Sequence, residues 1–97
     1  MKIWYLMIEA VPNDDNEESK ICRGAYVNFW VKAETIREAV KKAKQYIDEE
    51  NWSFMRTMDS SVAQRESCAH DPDSLECYDE ACEFGIAAAF YTWETDE

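Results

Sequence analysis

The sequence predicts an α+β fold: a two-layer sandwich of about four mainly antiparallel strands, with two helices on one face, in the order β-β-α-β-α-β. Three observations predict it. Alternating apolar residues recur over 2–11, 25–33 and 86–93, the period-two signature of strands. Two other stretches, 36–50 and 71–83, carry helical spacing with recognisable end signals. Only two Gly and two Pro occur in 97 residues, which leaves little chain for long loops. Runs of antiparallel strands with segregated helices are the α+β layer pattern. The length is that of one domain, 1–97, able to bury one real core.

In residues 2–11, Trp4, Leu6, Ile8 and Ala10 alternate with Ile3, Tyr5 and Met7. Both rows are apolar, so this strand belongs in the sheet centre, covered on both sides. The acid at Glu9 and the lack of a small-residue cleavage site favour a strand over a signal peptide. Residues 12–20, PNDDNEESK, form a polar acidic turn region, expected to be the most mobile loop. The strand 25–33 places Ala25, Val27, Phe29, Val31 and Ala33 on one face and Tyr26, Asn28, Trp30 and Lys32 on the other. It pairs with the first strand as a hairpin.

Thr35 and Glu38 have capping-box spacing and open a helix reaching about Glu50. Its core stripe is Ile36, Ala39, Val40, Ala43 and Ile47, with Tyr46 at the margin and Lys41, Lys42 and Lys44 in water. Asn51 suits a left-handed stop. Trp52, Phe54, Met58 and Val62 then mark an extended segment over 54–62, with Arg56 and Ser60 as exceptions to the row and a bulge expected near Asp59. Residues 63–70 connect to the next helix.

That helix is the stretch DPDSLECYDEACE, 71–83. Asp71 is a good N-cap, Pro72 suits the first helical position, and Gly85 suits a left-handed C-terminal cap. Leu75, Tyr78 and Cys82 share one side, with Ala81 beside them; Asp73, Glu76, Asp79, Glu80 and Glu83 take the rest. Glu80 and Glu83 lie where the helix dipole disfavours acids. Like charges three or four apart cost roughly 0.2–0.5 kcal/mol per pair. No Lys or Arg occurs from Glu66 onward to offset them. A final strand, 86–93, sets Ile86, Ala88 and Phe90 opposite Ala87, Ala89, Tyr91 and Trp93, and an acidic tail, 94–97, follows.

The net charge is -11, and its distribution is lopsided. Residues 1–58 carry ten acids against nine bases; residues 59–97 carry eleven acids and one base, Arg65. Such a chain is repelled by nucleic acid and by anionic membrane, and attracts a basic protein partner. Asp71, Asp73, Glu76, Asp79, Glu80 and Glu83 are therefore the candidate partner-binding residues. The partner classes that fit are a nuclease or toxin, as for an immunity-type protein, or a nucleic-acid-binding complex, as for a DNA mimic. The bland alternative is a merely solvated face.

If both helices cover one sheet face, the other keeps Tyr26, Trp30, Tyr91 and Trp93 bare. Residues of this kind are enriched at interfaces. Homodimerisation, or a small-ligand or regulatory contact, through that aromatic face is the alternative reading. No catalytic motif, phosphate loop or cofactor signature is present, and a non-enzymatic protein without cofactor is expected. Cys68, His70, Cys77 and Cys82 could supply metal ligands, but Cys77 and Cys82, five apart on a helix, point about 140° apart, so no metal is expected. Reduced thiols in a cytoplasmic setting are the expectation for all four cysteines.

Overall fold

The computed structural model describes residues 1–94. Strands β1 (Lys2–Pro12) and β2 (Cys22–Ala33) form the expected hairpin; α1 (Ile36–Glu49), β3 (Trp52–Val62), a one-turn helix α2 (Arg65–Cys68), α3 (Pro72–Phe84) and β4 (Ile86–Glu94) follow. Every pairing is antiparallel, and the sheet runs β3-β1-β2-β4. The α+β class, the four-stranded sheet and the main element order are those expected; α2 and a 3₁₀ turn at Glu17–Lys20 are additions. The acidic tail expected over 94–97 lies, from residue 95 on, outside the described residues.

The layering is not the one expected. Helix α1 covers the face of Leu6, Ile8, Ala10, Val27, Phe29 and Val31 through Ala39, Ala43 and Ile47. Helix α3 covers the opposite face, where Ala81 closes a second cluster with Ile3, Trp30 and Ala87. The sheet is thus the middle layer of three. The physical reason lies in β1 and β2: Ile3, Tyr5 and Trp30 form an apolar surface on the second face that a single helix on the first cannot reach. Phe90 and Trp52 meet on the first face with ring centroids 5.4 Å apart, although their strands are the two outer ones. Ala10 and Ala25, both fully buried, are the small residues of the intervening strands that leave room for those rings.

The caps behave as the sequence predicts. Thr35 accepts from the Glu38 N–H at 3.2 Å, and Asp71 accepts from the Asp73 N–H at 3.1 Å. Gly85 adopts φ 96°, the left-handed conformation that stops α3. Asn51 also has positive φ, 64°. The loop expected to be mobile is instead tied to it. Asn13 and Asn16 donate side-chain N–H bonds to Asn51 at 2.9 and 3.0 Å, Asn51 donates to Asp15 at 3.0 Å, and Ser53 donates to Asn13. Polar residues read as loop composition here satisfy one another across two connections. Ile36, expected in the stripe of α1, is exposed at the helix entry, beyond the sheet's reach.

Strand β3 explains its own irregular sequence. Its register against β1 skips Met58, between Asp59 and Thr57, and Met55, between Arg56 and Phe54. Each skip is a bulge, and each shifts the inward row by one residue. Arg56 consequently leaves the row and pairs with Glu9, its cross-strand neighbour, at 2.8 Å. Met58 and Val62, expected inward, are exposed, as is Met55.

Candidate functional site

Helix α3 sits on the sheet by Ala81, with half-buried Cys77 and Tyr78 packed on the same cluster. The contact stripe is one residue off the expected Leu75–Tyr78–Cys82 row, and Cys82 is exposed. Small inward residues let the helix lie close over Trp30 and Ala87. Its remaining surface carries Asp73, Glu76, Asp79, Glu80 and Glu83, all exposed. Phe84 lies beside them at 72% exposure. Sequence reading did not single it out, because a last-turn aromatic before a Gly cap reads as core.

Two of the six candidate acids have structural work. Asp71 caps the helix and also accepts from the Ser74 hydroxyl at 2.9 Å. Asp79 is held by both arms of the Arg65 guanidinium, Nε at 3.1 Å and Nη2 at 3.3 Å. That pair ties α2 to α3. Among the described residues no ion pair engages Asp73, Glu76, Glu80 or Glu83. The unfavourable C-terminal dipole is partly met from the sheet: the Lys32 ammonium donates to the Cys82 carbonyl at 3.4 Å. Lys42 of α1 lines a hollow with Phe84 and Gly85 at the end of α3, but among the described residues no ion pair joins a lysine of α1 to these acids.

The field of the acids registers on neighbouring groups. Burial, then the charges of Glu80, Glu76, Asp73 and Asp71, push the Cys77 thiol up. A shift in this direction favours the thiol over the nucleophilic thiolate. The Tyr46 phenol on α1 is also raised, by burial, then Glu50, then Glu80.

The outer edge of β4 has a definite chemistry. The Lys32 N–H donates to the opposite Gly85 carbonyl at 2.9 Å, which sets the parity of the β2–β4 ladder, while the Gly85 N–H itself caps α3 by donating to the Ala81 carbonyl at 2.9 Å. In an antiparallel ladder, bonded pairs recur every second residue. Ala87, Ala89 and Tyr91, opposite Trp30, Asn28 and Tyr26, therefore turn their amides toward β2. Ala88 and Phe90 turn theirs outward, where β4 has no strand neighbour among the described residues. A groove of about 380 Å³ follows this edge, with Asp73, Glu76 and Glu80 on one wall and residues 88–91 on the other.

The aromatic face is divided by α3. Trp30 is buried at 4% exposure, edge-on to Tyr5 at 5.4 Å, so its expected place on a bare face is corrected. The cause is the placement of α3 on that side. Tyr26 and Tyr91 stay exposed, at 40% and 54%. Trp93 is half-buried, tilted against Tyr26 at 4.8 Å and lying on Gly24, whose missing side chain makes the space. Between α2, the start of α3 and the sheet is a hollow of about 320 Å³, floored by Tyr5, Asn28 and Trp30 and edged by serines. The Tyr5 hydroxyl donates to Asn28 Oδ1 at 3.1 Å. No cationic side chain lines the hollow.

His70 is exposed, Cys22 and Cys68 are buried, and no cysteine is bridged. Among the described residues no group of His, Cys, Asp or Glu is placed to hold a metal ion, no charged side chain is buried, and no helix is long and apolar enough to cross a membrane. Fold and site together define a small antiparallel α+β protein with an acidic helix beside an open sheet edge. No family model matches the chain, and no curated protein or solved structure matches it either.

Proposed function

We propose that this chain is a non-enzymatic binding protein that recognises a basic protein through the acids of α3, with inhibition of a nuclease, toxin or nucleic-acid-binding complex as the consequence. The observation that carries this reading is that Asp73, Glu76, Glu80 and Glu83 are exposed along one helix, without an ion-pair partner among the described residues. Uncompensated like charge costs stability locally, and a surface that raises encounter rate is what it supplies in return. Carboxylates a helical turn apart, about 5–6 Å, also approach the spacing of backbone phosphates, which suits an immunity-type or DNA-mimic contact. The four unbridged cysteines support a reducing, cytoplasmic setting. Direct nucleic-acid and membrane binding are opposed by the net charge of -11.

The test uses a purified basic ribonuclease as probe, with the quadruple variant Asp73→Asn, Glu76→Gln, Glu80→Gln, Glu83→Gln. Asp71 and Asp79 are left intact because they hold the helix. At about 20 mM salt the variant should associate at least about tenfold more slowly, and at about 0.5 M salt the two should converge. Equal rates at low salt would remove α3 from the mechanism.

A second reading is a homodimer or small-ligand module on the aromatic face. The exposure of Tyr26 and Tyr91 and the hollow over Tyr5 and Trp30 support it. Burial of Trp30 removes its strongest anchor, and the charge opposes self-association.

A further inference from the structure

We propose that the outer edge of β4 receives an extended segment of the basic partner as a fifth strand, the segment alternating basic and apolar residues. The proposal rests on the acidic-recognition reading above and names the form of its ligand. Three observations meet at this edge. First, the amides of Ala88 and Phe90 face outward and have no protein partner among the described residues. Second, residues 86–93 contain no charge, no proline and no interior bulge, the devices by which natural edges avoid pairing. Third, the short side chains of Ala88 and Ala89 leave a groove open to a backbone, and Asp73, Glu76 and Glu80 form its wall.

Geometry then dictates the pattern. Side chains of an added strand alternate between the two sheet faces, recurring on one face every ~6.7 Å. On the α3 face they pass Asp73, Glu76 and Glu80, which span about 10 Å of helix, enough for two or three basic residues. On the α1 face they meet Ile86, Ala88 and Phe90 and call for apolar residues. A second copy of this chain fits poorly, since strand addition between two β4 edges would bring two acidic walls together, each from a chain of net charge -11.

The experiment measures binding of two labelled octapeptides of equal composition at low salt, one alternating Lys and Val, one with four Lys followed by four Val. The alternating peptide should bind the intact chain at least tenfold more tightly. N-methylation of its alternate backbone amides, in the register that blocks pairing, should lose that advantage. Ala88→Pro, which removes an outward N–H and no ladder bond, should do the same while the circular dichroism stays native. Equal binding of the two peptides overturns strand addition. So does an unchanged affinity after N-methylation, even where the quadruple acid variant abolishes binding; that result leaves acidic recognition standing. Equal binding of both peptides by wild type and quadruple variant sinks both readings together. A dimer of the free chain that Ala88→Pro dissolves would assign the edge to a second copy and also overturn the proposal.

Discussion

The two edges of the sheet are built oppositely. Strand β3 is defended: it bulges at Met55 and again at Met58, and it carries Arg56 and Asp59 between and beside them. Each bulge bends the strand and breaks the regular row of outward amides, and the charges penalise an apolar neighbour. Strand β4 has none of this over 86–92, where its register against β2 is unbroken. Instead α3 stands beside it and puts Asp73, Glu76 and Glu80 on one wall of the groove along that edge. An edge can thus be guarded by its own irregularity or stand open beside a charged wall. The first discourages any added strand; on the proposal above, the second selects among partners.

The largest effect that can break this comparison is a pair of prolines in β4. Ala89 bonds inward to Asn28, so Ala89→Pro should cost about 2–3 kcal/mol in urea unfolding. Ala88 faces outward, so Ala88→Pro should stay within about 1 kcal/mol of the parent. Equal losses would mean that the outward assignment of Ala88 is wrong and that the edge is not free.

A smaller effect tests how β4 is anchored beyond the open stretch. A methyl group on Gly24 would stand 2.5 Å from Cζ2 of Trp93 and 3.0 Å from the Ala10 carbonyl oxygen. The tryptophan ring must move, so Gly24→Ala should destabilise by about 1–3 kcal/mol and red-shift the tryptophan emission. An unchanged spectrum would show that Trp93 does not rest on Gly24.

The smallest effect appears only in alkali. Cys22 and Cys77 are raised above an ordinary value of 9.0, and Tyr5, Tyr46 and Tyr78 above 10.0, burial being the first cause in each. The unfolded chain therefore loses these protons first. Their contribution is fully present below pH 9 and declines as pH rises through the folded-state values. Urea midpoints should be flat from pH 7 to about 8.5 and fall from about pH 9 upward. The quadruple acid variant should show a smaller fall from the same onset, because Cys77 and Tyr46 then feel less negative charge and lie closer to their unfolded values. A fall of equal size would leave the acids without influence on the groups beside β4.

Much of this was legible along the chain. Alternation placed Phe29, Val27 and Leu6 in a core, and Thr35, Asp71, Asn51 and Gly85 marked helix ends that the structure confirms. Such signals are local: they depend on backbone groups within four residues, or on which side chains share a face. The exceptions at Arg56 and Ser60 were visible too, but only pairing with β1 shows that two bulges, rather than one, displace the row.

By itself, then, the sequence determined the element types, the antiparallel sheet and the concentration of acid in α3. The tertiary structure decided which side of the sheet α3 covers, and with it the burial of Trp30, the exposure of Phe84 and the nearness of three carboxylates to a free edge. It also supplied Lys32 and Arg65 as counter-charges, from positions fifty and fourteen residues away from their contacts. Alternation says which residues share a face and leaves open which face a later helix will choose. That choice follows from competition among all apolar surfaces for cover, which exists only once the strands have paired.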